Sequence, residues 1–168
     1  MSDDAGMTSY RRLRIPYGTY FFTVCLEDRE GRTLVDEIDR LREAYAMAIH
    51  EMPVETHAVV ILPNHLHAIW TEPGLPRFSD RWQRIKARFS LAVAGDFGPN
   101  RSKALRREKG LWQRRFYEHA IRNEDEFEKA MDYCRLNPVK HGFVSEPEDW
   151  PYSSFTRRMG IHAHPAAG

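Results

Sequence analysis

The run VETHAVVIL, then Pro63-Asn64, then HLHAIWTE leaves this chain little conformational freedom. Residues 54–62 and 65–72 are rich in β-branched, aromatic and apolar side chains, and only a Pro-Asn turn separates them. They read as the two arms of a buried hairpin. Into the second arm the sequence sets His65 and His67. Side chains alternate across a strand, so both imidazoles leave one face and Leu66 leaves the other. Two imidazoles on one face can share a metal ion. They can equally be strand histidines satisfied by hydrogen bonds. The second H-x-H, His162 and His164, has no strand pattern around it and reads as a solvated pair.

The remaining elements give the hairpin its context. GTYFFTVCLED (18–28) reads as a strand. VDEIDRLREAYAMAIHEM (35–52) sets Ile38, Leu41 and Tyr45 at helical spacing, and Pro53 closes it. FSDRWQRIKARFSLAVA (78–94) reads as a helix with Ser79 as its N-cap. Residues 95–110 are polar and punctuated by Gly and Pro. LWQRRFYEHAIR (111–122) begins irregular and ends strand-like. Asn123 caps a helix over 124–137, expected to stop before Pro138. The order predicts an α+β fold, a mostly antiparallel sheet with helices packed on it. The 168 residues suit one domain, with a core over about 10–155 and a flexible tail over 156–168.

Composition excludes some classes. No apolar run reaches the roughly 18 residues of a membrane span, and MSDDAGMTSYRR has no apolar core of a secretory signal. Cys25 and Cys134 match no metal or redox spacing, so the cytoplasm is the expected compartment. The net charge of +1 conceals a segregation. Twelve Lys and Arg stand against three acids between Arg77 and Arg115, and YRRLRIP adds a second basic knot. Interleaved with Phe78, Trp82, Phe89 and Trp112, this pattern suits a nucleic-acid backbone with exposed bases, or a solvated helix face. Trp82 and Phe89, at helical spacing, read equally as core.

The helix over 124–137 carries a second constellation. Tyr133 and Asn137 are four residues apart and share one face. A phenol can be a covalent nucleophile, and an amide oxygen suits Mg²⁺ or Mn²⁺. Taken singly, Tyr133 reads as a core aromatic and Asn137 as a helix C-cap. His57 and His119 read as hydrogen-bonded strand residues, and Cys134 as packing.

LPNHLHAIW, LWQRRFYEHAIR, the Y-x-x-x-N-P-V-K-x-G of residues 133–142 and EPEDWPYSSF together resemble the single-tyrosine HUH transposases. Within them the chain is most similar to the REP-associated tyrosine transposases, from about Tyr10 to Phe155. The resemblance implies a ferredoxin-like antiparallel sheet of HUH endonuclease type. It implies that His65 and His67, with Asn137, hold a divalent metal, Mg²⁺ or Mn²⁺, and that Tyr133 is the nucleophile. The implied activity is cleavage and rejoining of single-stranded DNA at palindromic, REP-type hairpins through a 5′-phosphotyrosine intermediate. Arg11, Arg12 and Arg14 would grip the hairpin. Arg81, Arg84, Lys86, Arg88, Arg106, Arg107, Arg114 and Arg115 would track the backbone, and Lys140 would touch DNA. Such binding weakens steeply with salt. Relatives act as dimers or as monomers, and both states fit. Two competing functions are a domesticated, catalytically inactive hairpin binder and a metal-dependent hydrolase with no covalent step. If the histidines hold the metal, metal binding is expected to weaken as pH falls through roughly 6.5.

Overall fold

The computed structural model describes residues 12–95 and 110–156. The elements are β1 (Thr19–Cys25), α1 (Thr33–Asp36), α2 (Ile38–Glu51), β2 (Glu55–Ile61), β3 (His65–Thr71), α3 (Phe78–Ala94), β4 (Tyr117–Ile121) and α4 (Glu124–Lys140). The strands form one sheet in the order β2-β3-β1-β4, antiparallel throughout. This is the ferredoxin-like arrangement expected from the sequence, with α4 added on the other face.

The hairpin is closed by the Leu62 amide donating to the His65 carbonyl, 2.8 Å. It reaches the next strand through the Leu26 amide, which donates to the Asn64 carbonyl at 2.8 Å. Period-two alternation then sorts the side chains. Tyr20, Phe22, Val24, Leu66, Ala68 and Trp70 are buried beneath α2 and α3. Trp70 and Trp82 of α3 stack at 4.3 Å and 16°, an arrangement that adds about 1 kcal/mol to their burial. The Trp70 indole donates to the Tyr45 hydroxyl of α2 at 2.8 Å. The opposite face presents Phe21, Thr23, His65 and His67 to α4. Trp82, Phe89 and Trp112 are all core residues.

Three boundaries differ from expectation. The helix expected over 35–52 is broken at Glu37, with backbone angles −108° and 32°, into α1 and α2. Ser79 does not cap α3; Arg77 holds that position with no side-chain cap, and Ser79 accepts from Arg12 at 2.5 Å. The last helix runs through Pro138 to Lys140 instead of stopping before it. Proline at that position removes one helical hydrogen bond, to Cys134. Burial of Cys134, Asn137 and Pro138 against the sheet offsets that loss. The helix ends where Gly142 takes φ +76°, a left-handed conformation that favours glycine.

The segment after α4 seals the sheet edge. The Ile61 amide donates to Tyr152 and the Ser154 amide to Val59, each at 2.8 Å. The Trp150 indole donates to the Ile61 carbonyl at 2.9 Å. Satisfying the edge of β2 in this way removes a template for unwanted strand pairing. Among the described residues no helix is long and apolar enough to cross a membrane.

Candidate active site and nucleic-acid interface

Helix α4 and strand β3 face each other across a narrow strip. Residues 133, 137 and 141 recur every four positions and therefore lie along one stripe of the helix. Tyr133 meets His67 with ring centroids 5.2 Å apart. His65 and His67 rings are 5.1 Å apart, and His141 lies 5.4 Å from His65. The order along the strip is thus Tyr133, His67, His65, His141, with Asn137 between the two ends of the helix stripe. Phe21 supports the floor, stacking on His67 at 5.3 Å and meeting Tyr133 edge-on at 5.6 Å. The structure therefore brings together four residues that are 72 positions apart at the extreme ends, from His65 to Asn137.

The His65 tautomer follows from its partner. The Asn64 amide nitrogen donates to the Arg29 carbonyl, so its oxygen accepts from His65 Nδ1 at 2.6 Å. That leaves His65 Nε2 with a free lone pair. His67 Nδ1 pairs with Thr23 Oγ1 at 2.9 Å. His67 is 3% exposed, and its buried Nε2 has no partner. Asn137 is 1% exposed, and both polar atoms of its amide are buried without a partner. Unpaired buried polar groups are costly and rare. Of these atoms, His67 Nε2 and the Asn137 amide oxygen have the lone pairs that suit a divalent ion. Among the described residues no three His, Cys, Asp or Glu converge on one point that could hold a metal, so a metal held here would need a further ligand of another kind, such as the Asn137 amide oxygen.

Burial, reinforced by the charges of His141 and Arg29, pushes the His65 imidazole down to about 4. Burial, reinforced by His65, pushes His67 down to about 3. Both imidazoles are therefore neutral at neutral pH. If they hold a metal, the expected acid loss of its binding moves from about pH 6.5 to about pH 4. The same shift also makes the metal-free protein acid-sensitive. Unfolded histidines take up protons below about pH 6.5 and the folded ones do not, so stability falls as pH drops from there towards 4. Thermal melts of metal-free protein are expected to decline across that window, and less so for His67→Phe. A flat profile from pH 6.5 to 4 would remove the buried neutral histidines from the account.

The remaining sequence candidates fall into distinct places. Tyr133 is 42% exposed rather than sealed in a core. The Lys140 ammonium sits over the Tyr133 ring at 5.3 Å. Cys134 is buried, and burial alone pushes its thiol up to about 12. His57 pairs with Thr71 at 2.7 Å and His119 with Glu126 at 3.3 Å.

Arg81 is a correction: it is 2% exposed and forms a two-pronged pair with Glu72, at 2.9 and 3.3 Å. A guanidinium committed to the core cannot reach DNA. Its position among Trp70 and Trp82 on the inward stripe of α3 is what buries it. Arg84 and Arg88 of the same helix both pair with Glu51 at the surface. Lys86 is half-buried over Trp112 and Phe116, donating to the Gln113 carbonyl at 3.1 Å, and burial lowers its affinity for a proton. Arg12 lies 4.1 Å over Phe116 and 3.6 Å from a Glu118 oxygen. Arg14, Arg114 and Arg115 are exposed. Arg11, Arg106 and Arg107, like His162 and His164, lie outside the described residues. The α3 cations sit on the face of the sheet opposite Tyr133, because Phe22 and Phe21 point to opposite sides.

Sequence reasoning passed over Asn64, His141 and Arg29. The turn position of Asn64 hid its role as the orienting partner of His65, and His141 gains its place only because the helix continues through Pro138.

The chain is 41% identical to the REP-associated tyrosine transposase of Escherichia coli (strain K12) over 160 residues, covering 95% of this chain and 89% of that protein. The chain belongs to the REP-associated tyrosine transposases. A second member of that family, from Haemophilus influenzae, is 40% identical over 163 residues, with 95% and 92% coverage. A solved REP-associated tyrosine transposase, bound to a REP hairpin, superposes with a TM-score of 0.78 at 41% identity, covering 96% of this chain and 92% of that one. No family model matches. Within the REP-associated tyrosine transposases, then, this chain supplies the strip just described.

Proposed function

We propose that this protein cleaves and rejoins single-stranded DNA beside palindromic, REP-type hairpins, using Tyr133 as a covalent nucleophile. The observation that carries the proposal is the exposed Tyr133 ring 5.2 Å from His67, whose buried Nε2 is unpaired. The hairpin-bound relative supports the substrate class.

His65, His67 and Asn137 would hold a divalent ion, Mg²⁺ or Mn²⁺, which supplies charge neutralisation and orientation for the scissile phosphate. The protein does the rest. Asn64 holds the His65 imidazole in one tautomer, and Thr23 orients that of His67. Phe21 fixes the Tyr133 ring against His67. The Tyr133 oxygen forms a bond to phosphorus as the bond from phosphorus to the 3′-oxygen breaks. The phenol proton leaves to water or to a bound base, and the departing 3′-oxygen ends as a hydroxyl. The phosphotyrosine conserves the phosphodiester's transfer potential, so attack by a 3′-hydroxyl reverses the step and rejoins a strand. Lys140, over the Tyr133 ring, would meet the negative charge of the incoming strand.

The test offers a hairpin-bearing single strand, labelled at its 5′ or 3′ end, with Mg²⁺ or Mn²⁺. Label from the 3′-labelled strand is expected to stay on the protein through a denaturing gel. Binding without any adduct, on hairpins that the hairpin-bound relative's own substrate resembles, would favour the inactive hairpin binder. Cleavage without adduct would favour a hydrolase.

A further inference from the structure

The chemistry of the strip does not end at the histidine pair. Beyond His65 the surface opens into a cavity of about 330 Å³ whose walls include Arg29, Arg32, Asn64, His65, His141 and Phe143. Glu30 contributes one carboxylate to the rim. Among the described residues Arg29 has no acidic partner. Arg32 has only a 3.9 Å contact with Asp36 in which both side chains are well exposed, an interaction of small worth. Two cations are thus available to a phosphodiester.

The cavity also has a stacking surface. Phe143 is 41% exposed, although such a ring is more often buried. It is braced from behind by the buried Trp150, at 5.1 Å and 26°. The His141 ring lies nearly parallel to it, 6.2 Å away at 30°. A rigid, exposed aromatic beside unpaired cations is the combination that holds an unpaired nucleotide: stacking for the base, charge for the phosphate.

Position decides which nucleotide. Tyr133 meets His67, and the cavity begins at His65 and His141. The eight residues from Tyr133 to His141 span about 12 Å of helix. The Tyr133 ring and the cavity therefore lie at opposite ends of the histidine pair. In an in-line displacement the leaving oxygen departs on the side away from the nucleophile. We propose that this cavity holds the nucleotide on the 5′ side of the scissile phosphate, its base on Phe143 and its own phosphate on Arg29 and Arg32, and so retains the freed 3′-hydroxyl for rejoining. The proposal rests on the strand-cleavage function above and adds the subsite that makes cleavage reversible.

The test uses the full chain with Tyr133→Phe, so that the strand stays uncut. A palindromic hairpin with single-stranded flanks carries 2-aminopurine at one position at a time, and fluorescence and anisotropy are read together. One flanking position is expected to be quenched on binding, and Phe143→Ala abolishes the quench and weakens the flanked hairpin about tenfold. Arg29→Ala weakens the flanked hairpin more than the same hairpin without flanks, and, lying in an exposed loop, it carries the test if Phe143→Ala does not fold. Cutting by the Tyr133 protein is expected immediately 3′ of the quenched nucleotide, with strand rejoining reduced more than cleavage in Arg29→Ala. A bound hairpin with no quenched position, a quench that survives Phe143→Ala, or a quenched nucleotide 3′ of the cut overturns the subsite. A Phe143-dependent quench in a protein that cuts no strand keeps the nucleotide pocket and overturns cleavage. A hairpin that does not bind overturns both.

Discussion

Tyr133→Phe is expected to abolish the covalent protein–DNA adduct and to lower strand cleavage by about a thousandfold or more, since the nucleophile itself is gone. Phenylalanine preserves the ring that packs on Phe21 and His67, so the fold and the histidine pair stay as they are. Hairpin affinity is expected to change by less than about threefold, as for an exposed substitution that breaks no buried contact. A denaturing gel for the adduct and a native gel for binding separate the two effects. Cleavage at the wild-type rate by this variant would make Tyr133 structural and the enzyme a hydrolase. An adduct that survives would move the attack to another tyrosine. Tyr117 is the one to examine, because it is exposed and shares the Phe21 face at 6.5 Å.

The largest effect on stability is expected at Glu72, far from the chemistry. Its carboxylate is 1% exposed and takes both prongs of Arg81. Arg81 also donates to the Met52 carbonyl at 2.9 Å and lies 5.2 Å over Trp70. Glu72→Ala strands this guanidinium in the core without a counter-charge. Breaking one partner of a buried pair costs about 3–5 kcal/mol, which lowers the melting temperature by roughly 6–20 °C for a domain of this size. Replacing both partners by apolar residues, Glu72→Leu with Arg81→Met, is expected to recover much of the loss, because the pair itself is expensive to desolvate. If Glu72→Ala melts within about 2 °C of the wild type, water reaches the pair and the core is not closed there. This contact also explains why charge counting along α3 overstates the DNA surface. Of its four cations, Arg81 belongs to the interior, Arg84 and Arg88 share Glu51, and Lys86 is tied to Gln113.

Much of the site was legible in short-range pattern. Period-two alternation is a local property of strands, so His65 and His67 on one face needed only the hairpin around them. Helical spacing is equally local, so Tyr133 and Asn137 on one stripe needed only α4. The antiparallel sheet with packed helices followed from the order of apolar runs, because each run must bury a face. What no local rule carries is which face meets which. That α4 crosses the face bearing His67, rather than the one bearing Phe22, depends on where α2 and α3 have already packed. That Arg81 is inside and Arg84 outside depends on a glutamate nine residues upstream being buried beside it. The run of α4 through Pro138 shows the same division. Local preference ends the helix there, but the burial of Cys134, Asn137 and Pro138 outweighs it. The sequence by itself determined which candidate residues share a face, His65 with His67 and Tyr133 with Asn137, because that depends on periods of two and 3.6 residues. Only the tertiary structure decided that they meet, that Asn64 and Thr23 orient them, and that His141 and Phe143 extend the strip, because those contacts join residues tens of positions apart through packing.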